Sequence, residues 1–167
     1  MHLRNEFARV HHTRDTFPFD SGRSALHAIL TAAGIGHGDE VVTQAYTCLA
    51  VAVGILRAGA VPRYVDIAPG TFNLDPTQVR EAIGDKTRAV IVQHTFGEIA
   101  PIDQIARIVE EANHHRPHNR RVILIEDCAH SLGGMYNGNP VGAWGTAAFF
   151  SFGCLLYTSD AADDRLC

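Results

Sequence analysis

The chain lacks any uninterrupted apolar run long enough to span a bilayer, so nothing in it reads as a membrane helix. Met1 to Arg14 are polar and basic with no apolar stretch behind them, which excludes reading them as a secretory signal. A surplus of positive charge is missing as well. The 14 Lys and Arg stand against 18 Asp and Glu, a net charge of -4, and this leaves no footprint of nucleic-acid binding. The 4 cysteines, Cys48, Cys128, Cys154 and Cys167, make neither a C-x-x-C pair nor a disulfide framework, so the compartment reads as reducing and cytoplasmic. Lysine is nearly absent, with Lys86 the single one in the chain.

What is present suits one globular domain. Its 167 residues are 46% hydrophobic and 19% charged. Helical and strand periods alternate along the chain. Leu26, Ile29, Leu30 and Ala33 fall on one face of a helix over 24–33, with Ser21 or Asp20 as its cap and Gly34 as its stop. A short strand follows over 40–43, then a helix over 47–58 ended by Gly59. Val61–Ile67 is β-rich, with Pro62 confining the pairing at its start. Asp75-Pro76 marks a helix start, and that helix runs to about Ile83. Strands are expected over 88–93, 121–126 and 147–152, the first two apolar enough to be buried on both faces. A helix over 101–113 buries Ile102, Ile105, Ile108 and Val109. Strict alternation implies βαβ units, hence an α/β fold of three layers around a mostly parallel sheet. Ligands of such sheets gather at the carboxyl ends of the strands.

His114, His115 and His118 sit beside Pro117 and several arginines and read as a solvated connection; His11 and His12 are read the same way, and no metal site is expected. Three other segments carry chemistry. Ser21-Gly22-Arg23-Ser24-Ala25 opens a helix, where free N–H groups, a close glycine and a hydroxyl can cradle a phosphate. Val122–Ser131 places Glu126 and Asp127 directly after a buried strand. A buried carboxylate needs a cation, and a protonated pyridine nitrogen would serve; alternation allows only one of the two to face the pocket. Ser151, closing an apolar strand, could donate to the same phosphate. A nucleotide-binding Rossmann turn is disfavoured, because Gly34-Ile35-Gly36 follows a helix and lacks the third glycine.

With these segments in order, the chain resembles the DegT/DnrJ/StrS family of PLP-dependent sugar aminotransferases. Further matching pieces are Gly38–Val42, Gly59–Pro62, Thr71–Pro76, His94–Gly97, Glu126–Gly133 and Val141–Gly145. The resemblance implies the large domain of a fold type I enzyme and pyridoxal 5'-phosphate (PLP) as cofactor. It implies that Asp127 pairs with the pyridinium nitrogen and that His130, where many members carry Gln, lies near the ring hydroxyl. Gly22, Arg23, Ser24 and Ser151 would hold the phosphate. Many members have an aromatic residue at Cys48 to stack on the ring; Tyr46 could substitute. The implied reaction moves an amino group from an amino acid, typically glutamate, to a nucleotide-linked keto-sugar, in a homodimer.

The family's lysine follows Ser151-Phe152 by a few residues and would bond the cofactor covalently. No lysine stands there, so the expectation is an incomplete large domain over 1–153, without a small C-terminal domain, inactive and with apolar faces uncovered. Residues from Cys154 to Asp164 resemble one reading frame of a sequencing-library adaptor, so 154–167 are expected to be a non-native tail. A sugar dehydratase of the same fold and a non-catalytic regulator retaining the phosphate pocket are the alternatives.

Overall fold

The computed structural model describes residues 3–152. The tail assigned to 154–167 lies outside them. Five parallel strands form one sheet: β1 (Glu40–Gln44), β2 (Val61–Val65), β3 (Thr87–Gln93), β4 (Ile123–Asp127) and β7 (Ala147–Phe149), in the spatial order β2-β1-β3-β4-β7. Pro62 has no N–H to give a second neighbour, and β2 is an edge strand.

Period-two alternation sorts the strand residues onto two faces. Val41, Ala89, Ile91, Ile125 and Phe149 pack with Leu26, Leu30 and Ile55, beneath α2 (Gly22–Ala32) and α3 (Leu49–Arg57). Val42, Val90, Val92 and Leu124 pack with Val79, Ile102, Ile105 and Val109, beneath α4 (Pro76–Ala82) and α5 (Ile102–Asn113). Thus β3 is apolar along its length because both of its faces are covered. The three-layer arrangement is as expected. Asp75 caps α4 by accepting from Thr77 N at 2.8 Å, and Pro76 occupies its first turn. Ser21 caps α2, and Gly34 leaves it at φ 64. Among the described residues no helix is long and apolar enough to cross a membrane.

Two expectations need correction, and two elements were not expected. The last strand stops at Phe149, leaving Ser151 and Phe152 in extended chain. Two elements carried no legible period: α1 (Leu3–Val10) and the hairpin of β5 (Met135–Tyr136) and β6 (Asn139–Pro140). His11 is not solvated. It is 2% exposed, donates from Nδ1 to the Val141 carbonyl at 3.1 Å, and lies between the rings of Phe7 and Phe150. His12, His114, His115 and His118 are exposed.

Candidate functional site

The carboxyl ends of β1, β3, β4 and β7 bring the chemistry-bearing residues to one edge of the sheet. Asp127 ends β4 on the same face as Ile125, the α2 face, while Glu126 turns to the α5 face. The two neighbouring carboxylates therefore have separate environments, as alternation requires.

Glu126 is fully buried and fully engaged. Its oxygens accept from Gly142 N at 2.8 Å, Trp144 N at 2.7 Å and Gly145 N at 2.8 Å, and His94 Nε2 lies at 3.3 Å. Ala100 N donates to His94 Nδ1 at 3.2 Å, so the imidazole proton sits on Nε2 and faces Glu126. Cys128 completes a grouping of metal-ligand types with this pair, yet both ring nitrogens and both carboxylate oxygens already serve as hydrogen-bond partners.

Asp127 has no such support. It is 4% exposed and accepts one hydrogen bond, from Ala129 N at 3.1 Å; among the described residues no Lys or Arg pairs with it. Burial pushes its carboxyl up to about 6, against the lowering effects of the Ala129 amide and of His94. A buried carboxylate short of a partner is the feature a pyridinium nitrogen would satisfy.

Across the β4–β7 pair, Asp127 faces Phe149, and Cys128 N donates to the Phe149 carbonyl at 2.9 Å. Ser151 lies two residues further on. Gly22 meets both: a Cβ built on it would lie 3.6 Å from Phe149 Cδ2, 3.3 Å from Ser151 Cβ and 3.6 Å from Ser151 Oγ. The start of α2, Ser151 and the Asp127 row thus converge. Ser21 Oγ accepts from Ser24 N at 3.2 Å, which removes the Ser24 amide from any cradle. Gly22 and Arg23 remain as the first-turn amides able to bind an anion. The Ser24 hydroxyl lies 3.0 Å from Ser21 Oγ and also bonds Asp20, an exposed carboxylate held below its ordinary range chiefly by that bond. Asp20 therefore competes with an incoming phosphate. Asp20→Asn is expected to tighten phosphate-ester binding at low salt by about threefold, with the gain fading at high salt; isothermal titration at two ionic strengths checks this.

The ring-stacking candidates sit on the segment between β1 and α3. Cys48 is exposed and caps α3 without a side-chain hydrogen bond. Tyr46 turns toward Phe72, at 5.6 Å between ring centroids, and Phe96, at 6.4 Å. Between them Thr47 donates to Gln93 Oε1 at 2.6 Å, and Gln93 pairs with Asp127 across β3 and β4. His130 is half-buried, stacks on Phe96, and its Nδ1 accepts from Phe96 N at 3.2 Å. The sequence reading missed Phe96 and the structural work of Glu126. Gly97, Gly142 and Gly145 were the available signals, since glycines after strand ends mark backbone that must bend or approach closely.

The sequence profile of the DegT/DnrJ/EryC1/StrS aminotransferase family matches residues 2–154. The "pleiotropic regulatory protein" of Geobacillus stearothermophilus is 48% identical over 132 residues, which are 79% of this chain and 33% of the relative. The L-glutamine:scyllo-inosose aminotransferase of Streptomyces griseus is 40% identical over 134 residues, 80% of this chain and 30% of that protein. Among solved structures, the PLP form of a protein described as a sugar aminotransferase, from Streptococcus pneumoniae, matches with a TM-score of 0.85 at 31% identity, over 90% of this chain and 40% of that one. The chain spans about a third of the length of the curated relatives it matches.

Proposed function

The chain belongs to the DegT/DnrJ/EryC1/StrS aminotransferase family, and from that premise we propose that it forms the cofactor-binding part of a cytoplasmic, homodimeric PLP enzyme. The whole enzyme would move an amino group from an amino acid, glutamate first among donors, to a keto-sugar carried on a nucleotide. The cyclitol ketone named for the Streptomyces griseus relative is the acceptor to compare with it.

The observation that carries this reading is the shared face. A buried carboxylate held by a single backbone amide and a glycine-opened helix start lie on one side of the sheet, joined by β7. The residues present fit PLP. Asp127 would accept from the ring N–H and keep that proton on the nitrogen. The amides of Gly22 and Arg23 and the hydroxyl of Ser151 would bind the phosphate. Bound there, PLP supplies an electron-withdrawing ring that stabilises negative charge at the carbon bearing the migrating nitrogen.

Among the described residues no lysine lies at this edge. Lys86 precedes β3 at the opposite end of the sheet, about 20 Å away along a seven-residue strand. With no lysine base at the substrate carbon among the described residues, the chain would bind cofactor without turning over. The regulator reading is favoured by the name of the Geobacillus stearothermophilus relative together with that missing base.

The test is equilibrium dialysis of PLP against Lys86→Arg protein, which removes imine formation at the one lysine side chain, followed by assays with glutamate and each ketone. Saturable PLP binding, lost in Asp127→Ala, is expected. Absence of binding sinks the cofactor assignment, and turnover by this chain sinks the claim of inactivity. An intact gene product that binds PLP yet turns over neither ketone favours the regulator.

A further inference from the structure

Phe96 adopts φ 54 and ψ 26, the left-handed region that residues with a Cβ avoid. Its ring is 65% exposed, so burial of the side chain does not compensate for the strain. The surrounding chain holds it there. Gln44, fully buried, sets its Nε2 among three acceptors for its two hydrogens: the Tyr46 carbonyl at 2.6 Å, the Phe72 carbonyl at 3.0 Å and Thr95 Oγ1 at 3.1 Å. Asn73, also buried, accepts from Thr95 N at 3.0 Å and donates to the Glu98 carbonyl at 3.1 Å. Two buried amides thus pin the backbone on both sides of Phe96. A strained residue that its surroundings over-determine points to a use for the strain.

The conformation directs the Phe96 N–H at His130 Nδ1, 3.2 Å away, and lays the two rings nearly parallel, 7° apart with centroids at 5.5 Å. A backbone N–H can only donate. Nδ1 must therefore be bare, and a neutral imidazole then carries its proton on Nε2. We propose that Phe96 is a positioning residue: its backbone N–H fixes His130 as a hydrogen-bond donor through Nε2, able to bind an anionic ring oxygen of the cofactor. This rests on the PLP reading above. A glutamine at position 130 would offer a donor of the same kind through its amide nitrogen, so the two side chains become chemically equivalent only when the imidazole tautomer is locked. Nothing in the sequence would show this, because either tautomer is open to a free histidine.

The test uses the full chain, labelled with 15N-histidine, in long-range 1H–15N correlation spectra at a pH where His130 is neutral. Bare Nδ1 and protonated Nε2 are expected without any cofactor. Phe96→Pro, which removes the N–H and cannot adopt a positive φ, is expected to release the ring to a tautomer mixture. Should that variant not fold, PLP dialysis in the Lys86→Arg background supplies a second measurement. There His130→Gln is expected to keep the dissociation constant within about threefold, and His130→Leu to weaken it by about tenfold. A proton on Nδ1 in the parent, or equal affinity in the leucine and glutamine variants, overturns the inference while leaving PLP binding intact. A parent that binds no PLP overturns the cofactor reading and the donor role together.

Discussion

Glu126→Gln is expected to destabilise the fold by about 3–5 kcal/mol, the largest loss from any single polar substitution considered in this chain. The glutamine is nearly isosteric, so the loss would not come from packing. It replaces one acceptor oxygen by an NH2 group, which then faces either Gly142 N and the Nε2–H of His94, both on Oε2, or Trp144 N and Gly145 N, both on Oε1. At least two buried donors lose their acceptor, and a domain of this size has only about 5–15 kcal/mol to lose. Urea unfolding checks the value. Glu110→Gln, an exposed position, should stay within about 0.5 kcal/mol. The turn that Glu126 holds leads directly into β7 and Ser151, so PLP affinity should fall along with stability. An unchanged urea midpoint would show that water replaces the lost acceptor, and would refute this account of the turn.

Asp127→Asn should do the opposite to stability. The folded carboxyl keeps its proton up to about 6, whereas an unfolded one releases it near 4. The folded state therefore binds more protons across that window, and stability falls as pH rises through it. The parent should lose on the order of 3 kcal/mol between about pH 4 and pH 6, relative to a variant with no such group to ionise. Asparagine removes that slope and should make the protein more stable at pH 7. The same change should weaken PLP binding about a hundredfold, because the buried cation loses its counter-charge. Unfolding curves from pH 4 to pH 8, parent against variant, with and without PLP, test both halves. Parallel pH profiles would mean that Asp127 is not the desolvated acid described above.

Much of this was legible because burial writes itself into short periods. The continuous apolar runs of β3 and β4 announced strands covered on both sides, and Asp75-Pro76 announced a helix start. Alternation implied that Glu126 and Asp127 face opposite sides of the sheet, while the preference for Asp127 came from the family resemblance. What escaped reading was set by long-range partners. Glu126 and Asp127 are chemically alike in sequence; one meets three amides and the other almost nothing, and that depends on where the turn at 142–145 lies. Phe96 carries no mark of its left-handed backbone apart from the glycine after it. His11 looked solvated because its acceptor and stacking partner are 130 and 139 positions away. Tyr46 was considered for ring stacking on its type and position; its neighbours Phe72 and Phe96 come from two other loops.

The seat of His11 has a consequence for how the chain is made. The eight residues of α1 are too few to hold a helix alone in water. Their docking surface, Val141 and Phe150, is synthesised more than 120 residues later, on the order of ten seconds at ordinary translation rates. The α1 segment emerges from the ribosome without these partners and gains order only when β7 and the residues after it are in place. A nascent polypeptide arrested before Val141 would display Phe7 and His11 bare to chaperones, however complete the strands between them.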